Sequence, residues 1–286
     1  MEYELPEHPV LRGSCLLVRR YLRHRVGMES AALAFYLLFA AFPFLIFISS
    51  LIGLLQVDVS ALLTGLEEFL PQDILRLAEM YLRYVEEHSS LRLLLFGLVF
   101  SVYFPMRAAD ALVRAVRTAY HLGPPRATVW HWVRILIYTL LLIAAIAVTL
   151  VLMTVSDRLL SLAVAYVRLP ALIAVLWTVL RFPAAALLGY AALLALYNMA
   201  WDESCARRTI WPGALAALTV WMFASWGYKW YAEQVADYSA LYGSIGAVIV
   251  LLMWLYVTAL ILIMGAEWNG VLMGLRKERA ANDGKL

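Results

Sequence analysis

LLLFGLVFSVYFPMRAADALVRAVRTAYH, residues 93–121, begins as a membrane crossing and ends as a charged helix. Its uninterrupted apolar run, 93–106, is 14 residues long. As a helix that run rises only about 21 Å, against a hydrocarbon core of about 30 Å. To cross, the helix must carry Arg107 and Asp110 into the inner leaflet. Continued further, Arg107, Asp110, Arg114, Arg117 and His121 recur at spacings of 3, 4, 3 and 4, which is one helical face. An Arg or Asp in hydrocarbon costs at least about 2.5–3.5 kcal/mol, so such groups turn towards a partner or a wet cavity. Arg107 and Asp110 are spaced to pair along the helix. Two readings fit the stripe: an ion pair that anchors the helix end at the interface, and a polar face lining a vestibule open to the cytoplasm.

Outward from this segment, five further apolar stretches occupy residues 30–55, 133–155, 182–201, 210–230 and 244–266. Each reaches the roughly 20 residues that a helix needs to span a bilayer. Hydrophobic residues make up 64% of the chain and charged residues 15%, and the runs are uniformly apolar rather than alternating. In lipid every backbone amide must be satisfied within its own segment, so these runs predict helices and not strands. The expected fold is all-α: a polytopic membrane protein built as a bundle of six transmembrane helices.

Charge predicts the orientation. Arginines cluster before the first stretch (Arg12, Arg19, Arg20, Arg23, Arg25), after the second (Arg107, Arg114, Arg117, Arg126), between the fourth and fifth (Arg207, Arg208) and after the sixth (Arg276, Arg279, with Lys277 and Lys285). The opposite loops are poorer in cations. Positive residues favour the cytoplasmic side, which places both termini there. Trp130, Trp132, Trp201, Trp211 and Trp268 fall near the inner ends and Trp226 and Trp230 near an outer end, as an interfacial belt requires. The chain divides into a basic amphipathic cytoplasmic segment at 1–29, a six-helix transmembrane domain at 30–274 and a cytoplasmic tail at 275–286. The first apolar run begins near residue 30 and has no small-residue cleavage site after it, so it is not expected to be a removable signal.

Residues 10–25 read as a basic amphipathic helix on the inner leaflet, where each Arg contributes about 1 kcal/mol of attraction to anionic lipid. A net charge of +3 argues against a nucleic-acid role. Between the first two spans, residues 57–90 hold seven acids against two arginines and divide at Pro71 into an extracytoplasmic amphipathic helical hairpin, read either as a packed lid or as a gate. Glu267 lies at the inner end of the last stretch, at the depth of Arg107 and Arg114, and an interhelical ion pair with them is expected. Arg181 is read as an interface residue just outside a span starting at Phe182, with Pro183 in its first turn. Pro43 is expected to bend the first span, and Gly213 with Ala217 and Gly270 with Gly274 give small-xxx-small spacing for close helix packing.

Cys15 and Cys205 have no metal-ligand spacing and are expected as reduced thiols. The five histidines are scattered, with no HExxH pair, no phosphate-binding GxxxxGK[ST] loop and no GxSxG elbow, so no cofactor, no metal and no enzymatic activity are expected.

Four stretches carry a family resemblance: SAALAFYLLFAAFPFLIF in the first span, RAADALVRAVRTAYH after the second, WPGALAALTVWMFASWGYKWYAE around the fifth, and LYGSIGAVIVLLMWLYVTALILIMGAEWNGVL in the last. Together they resemble the YihY / virulence factor BrkB family over nearly the whole chain. The resemblance implies a bacterial inner-membrane protein with six helices. Such proteins have carried a ribonuclease BN label, but this sequence contains no nuclease metal site. Two functions are then open. One is a transporter or lipid-handling protein whose stripe at Arg107, Asp110, Arg114 and Arg117, with Glu267 and secondarily Arg181, receives an anionic headgroup or solute. The other is a non-catalytic membrane scaffold in envelope organisation that recruits partners. Membrane lipids and a second copy of the chain are the partners this sequence admits.

Overall fold

A computed structural model of the chain describes residues 9–54, 90–125, 128–154, 171–200, 210–235 and 244–283. Seven helices occupy them: α1 (Pro9–Arg23), α2 (Val26–Leu54), α3 (Leu91–Ala119), α4 (Val129–Thr154), α5 (Ala171–Met199), α6 (Trp211–Val235) and α7 (Ser244–Asp283). Among the described residues there is no strand. The hairpin expected at 57–90 lies outside the described residues but for Ser90, as do Cys205 and the arginines at 126, 207 and 208.

Among the described residues, five helices are long and apolar enough to cross a membrane, over Val26–Leu51, Leu91–Ala119, Val129–Thr149, Val179–Met199 and Val248–Glu278. No more than 22% of any of these apolar segments is buried within the protein. Phe42, Leu141, Leu187 and Ile249 are among the large side chains left exposed on them. A surface this apolar matches hydrocarbon rather than water. Helix α6 is 25 residues long but is not among the five. Its Pro212, Trp221, Ser225, Trp226, Gly227, Tyr228 and Trp230 lower its mean hydropathy, and Trp211 at one end with Trp226, Tyr228 and Trp230 towards the other suits the two membrane interfaces.

Two details differ from expectation. Helix α5 begins at Ala171, so Pro183 stands inside the helix and not in its first turn. Arg181 is the third residue of the apolar segment Val179–Met199, close to its end, with its guanidinium 5.0 Å from the Phe182 ring centre. Helix α3 runs unbroken through Arg107 and Asp110, as a crossing requires, and carries Pro105 in its interior.

The chain forms two compact units, Met1–Ala34 with Ala109–Leu286, and Phe35–Ala108. In the first, α7 packs against α6 and α1, and α5 packs against α4 and α6. The α6–α7 crossing is built from small residues. A Cβ added to Gly265 would stand 2.6 Å from the Ala217 Cβ and 2.8 Å from the Gly213 carbonyl oxygen. The Gly213/Ala217 pair therefore does mark a close contact, and its counterpart is Gly265. Gly270 faces the Ala119 carbonyl and the Arg20 guanidinium, whereas Gly274 has open space around it. Buried Asn269 ties the same crossing: its Oδ1 accepts from Gly213 N–H at 2.7 Å, and its Nδ2 donates to the Ile210 carbonyl at 2.8 Å and to Tyr120 Oη at 3.3 Å. Its Oδ1 thereby satisfies a first-turn N–H of α6 that the helix cannot satisfy itself.

In the second unit, a Cβ on Gly97 would lie 2.6 Å from the Phe47 backbone nitrogen, so α2 and α3 meet backbone to backbone there. The rings of Phe96, Phe100, Tyr103 and Phe104 stack along α3, with Phe39 of α2 6.1 Å from Phe104.

Candidate functional site

Polar chemistry in the first unit gathers at the C-terminal end of α3. Asp110 is 1% exposed and is held from two sides. Arg114, one turn on, forms an i,i+4 ion pair with its Oδ2, and His131 Nε2, from the start of α4, donates to its Oδ1 at 2.9 Å. The Arg114 side chain is 42% exposed, so one end of this pair is dry and the other wet. Arg117 is buried and donates from Nε to the Gly123 carbonyl at 2.7 Å and from Nη1 to the Ala200 carbonyl at 3.0 Å. With Arg134, which donates to the Met199 carbonyl at 3.3 Å, it places positive charge at the C-terminus of α5, where carbonyls lack helical partners.

The second centre is Glu267, also 1% exposed. Arg20 Nη1 donates to its Oε2 at 3.2 Å, and His24 Nδ1 donates to its Oε1 at 2.6 Å. Arg20 donates as well to the carbonyls of Ala119 at 3.0 Å and Gly270 at 3.4 Å. One guanidinium from α1 thus ties α3 to α7.

His121 completes this cluster through its backbone. Helix α3 ends in a Schellman turn: Leu122 N–H bonds the Arg117 carbonyl at 2.9 Å and His121 N–H bonds the Thr118 carbonyl at 3.0 Å. The turn puts His121 at φ 57°, a left-handed conformation usually taken by glycine and costing an L-residue about 1–2 kcal/mol. That conformation brings its Nε2 within 3.0 Å of Arg20 Nη2 and its ring 5.9 Å from the His24 ring, edge to face. A guanidinium can only donate, so Nε2 accepts and the ring proton sits on Nδ1. The His121 pKa is lowered from its ordinary value, by partial burial first and then by Arg20, His24 and Arg23, against an opposing pull from Glu267.

Two cavities flank this cluster. The first, of about 270 Å³, is lined by His24, Glu29, Arg114, Arg117, Thr118 and Glu267 together with the Gly123-Pro124-Pro125 loop. The second, of about 250 Å³, is lined by Arg20, Tyr120, His121, Met273, Gly274 and Lys277, among others. Leu122 lines both.

Of the residues singled out from the sequence, Asp110, Arg114, Arg117 and Glu267 meet at this end of the first unit. Arg114, Arg117 and Glu267 line the first cavity. Asp110 pairs with Arg114, and Glu267 takes Arg20 and His24 as its partners rather than Arg107 and Arg114. Arg107 belongs to the other unit, where its guanidinium lies 5.9 Å from the Tyr36 ring centre, and Arg181 lines neither cavity, standing in the first turn of the apolar segment Val179–Met199 of α5. Sequence reasoning missed Arg20, His24 and His131, and it placed His121 on the α3 stripe rather than in the turn that ends the helix. The one available signal was the i,i+4 spacing of Arg20 and His24, which puts a cation and an imidazole on one face of α1. Among the described residues no three His, Cys, Asp or Glu side chains converge as a metal site.

The chain is 29% identical to the ribonuclease-like protein YfkH of Bacillus subtilis over 91% of its length and 95% of that protein's. It is 32% identical to a UPF0761 membrane protein of Alkalilimnicola ehrlichii over 26% of this chain and 17% of that one. A further UPF0761 membrane protein, of Xanthomonas campestris, is 24% identical over 32% of this chain and 22% of its own. No solved structure matches the chain. The sequence model for Virulence factor BrkB matches residues 17–285, nearly all of the apolar helices and both polar centres, and the chain belongs to that family of membrane proteins.

Proposed function

We propose that this protein is a bacterial inner-membrane protein crossing six times, both ends cytoplasmic, whose first cavity receives an anionic group in transport or lipid handling. Helix α6 is then the sixth crossing, with Trp211 at one end and Trp226 and Trp230 towards the other. The arginines beside α1, the end of α3 and the end of α7 support the orientation, because positive residues favour the cytoplasmic face.

The observation that carries the reading is Arg114. Its carboxylate partner is buried, its own side chain is 42% exposed, and it lines a cavity of about 270 Å³. A guanidinium has five N–H donors, and the bond to Asp110 uses one. The fixed Asp110–His131 support holds Arg114 in place, so binding an anion there costs little ordering. Guanidinium pairs geometrically with phosphate and carboxylate, which makes a headgroup phosphate or an anionic solute the fitting ligand.

The test is reconstitution of the full chain into vesicles of phosphatidylcholine and phosphatidylglycerol. Movement of a fluorescent phosphatidylglycerol between leaflets and efflux of trapped anions are followed for wild type and Arg114→Gln. Loss of about a factor of ten or more in either activity supports the reading. Equal rates in wild type and variant, or rates no higher than protein-free vesicles, contradict it.

A further inference from the structure

The second cavity is built differently from the first. Its cations are Arg20 and Lys277, the latter exposed one turn beyond Met273 on α7. Lys277 lines this cavity and not the first, and Arg114 lines the first and not this one. Gly274 also lines it and has nothing within 4 Å of where a side chain would begin, so an incoming group can approach the backbone of α7.

Arg20 Nη2 is engaged here by neutral His121 at 3.0 Å, while its Nη1 is fixed to Glu267 and the Ala119 carbonyl. We propose that this cavity is a phosphodiester-binding subsite, filled by a lipid headgroup or a free phosphodiester, and that His121 sets its affinity by holding or releasing Arg20. A protonated imidazole has no lone pair on Nε2. Protonation therefore breaks the contact, frees one guanidinium donor towards the cavity and adds a positive charge beside it. Both changes favour an anion. The groups facing His121 are Arg20 and Arg23 of α1, His24 in the turn that follows, and Glu267 and Lys277 of α7. Four of these are cations or titrate to cations, so proton uptake is disfavoured in the empty cavity and favoured once an anion offsets them. Binding and protonation are thereby linked, and each strengthens the other by the same factor.

The experiment titrates the full chain, in phosphatidylcholine nanodiscs, with dihexanoylphosphatidylglycerol and separately with glycerophosphoglycerol, at about pH 7.5 and about pH 5.5, on either side of an ordinary histidine pKa. Both probes are phosphodiesters whose charge does not change over that interval. The expected result is binding that tightens about tenfold at the lower pH, the scale of one added charge in a partly solvated site. Preference for the short-chain lipid assigns a headgroup; equal binding of the two assigns a soluble diester. Lys277→Gln should weaken binding at both pH values. His121→Asn should bind with no pH dependence, because Asn accepts the left-handed backbone but does not titrate. Both positions are exposed, and circular dichroism of the variants checks that the helices are intact. The proposal is overturned if wild type binds neither probe, if the pH response persists in His121→Asn, or if Lys277→Gln binds as wild type does.

Discussion

Replacing Glu267 by Gln tests the link between α1 and the rest of its unit. The change keeps the shape of the side chain and one acceptor oxygen, but removes the charge and presents an N–H₂ to a donor. Glu267 is 1% exposed, and it takes both the Arg20 guanidinium at 3.2 Å and the His24 imidazole at 2.6 Å. Breaking a buried ion pair by removing one partner costs about 3–5 kcal/mol. Arg20 keeps the Ala119 and Gly270 carbonyls and the His121 nitrogen, so the loss belongs at or below the lower end of that scale, about 2–3 kcal/mol. Other ties of α1 to α7 include the exposed Arg12–Glu278 pair at 2.7 Å and a hydrogen bond between the Tyr21 and Tyr256 side chains. Exposed pairs contribute little, so most of the loss should appear as local opening of α1. At 1.36 kcal/mol per decade, amide hydrogen exchange across residues 9–23 should accelerate by about 100-fold, with α4 and α5 unchanged. An acceleration below about threefold would mean that Glu267 does not hold α1, and the account of this cluster would fail.

Three further outcomes follow from the same geometry. Asp110→Asn strips the buried partner from Arg114 and His131 and should lower thermal stability in detergent by about 2–3 kcal/mol, read as an earlier midpoint; an unchanged midpoint would show that the pair does not stabilise α3 against α4. Gly265→Ala should destabilise by about 1–3 kcal/mol, because its Cβ would stand 2.5 Å from Tyr197 Oη and 2.6 Å from the Ala217 Cβ, whereas Gly274→Ala should stay within about 0.5 kcal/mol. Equal midpoints for these two variants would refute the close α6–α7 crossing. The His121 contribution depends on pH with a definite sign. Its folded-state pKa is lowered, so the Arg20 contact is fully present above the ordinary value near 6.5 and is lost as pH falls through the lower folded value. Exchange across α1 should rise over that acidic window in wild type and stay flat in His121→Asn; an identical pH profile for the two would remove His121 from the cluster.

Much of the helical layout is legible in the chain because hydrocarbon allows few alternatives. A run of uniform apolar residues must satisfy its amides internally, and α2, α3, α4 and α7 follow such runs closely. The length shortfall at 93–106 correctly demanded that α3 continue through Asp110, and i,i+4 spacing made the Asp110–Arg114 pair readable. Glu267 was readable as a buried acid but its partners were not. Arginine-rich composition assigned α1 to lipid, and composition does not say which arginine turns inward. Arg20 does; Arg19 and Arg23 remain exposed with Val18 and Leu22, the face that still suits an anionic surface. His121 was counted on the α3 stripe, whereas the Schellman turn takes it off the helix in a conformation that favours glycine. Small-xxx-small spacing identified the tight contact at Gly213 and Ala217 and misread Gly274, because spacing finds candidate interfaces and not the opposing helix.

Native mass spectrometry of the purified chain offered equal phosphatidylglycerol and phosphatidylcholine tests the central claim most directly. Wild type should retain phosphatidylglycerol in preference, and Arg114→Gln, which leaves the second cavity unchanged, should show a clearly weaker preference while keeping its helical content. Equal retention of the two lipids by wild type, or an undiminished preference in Arg114→Gln, would contradict an anion-binding cavity at Arg114.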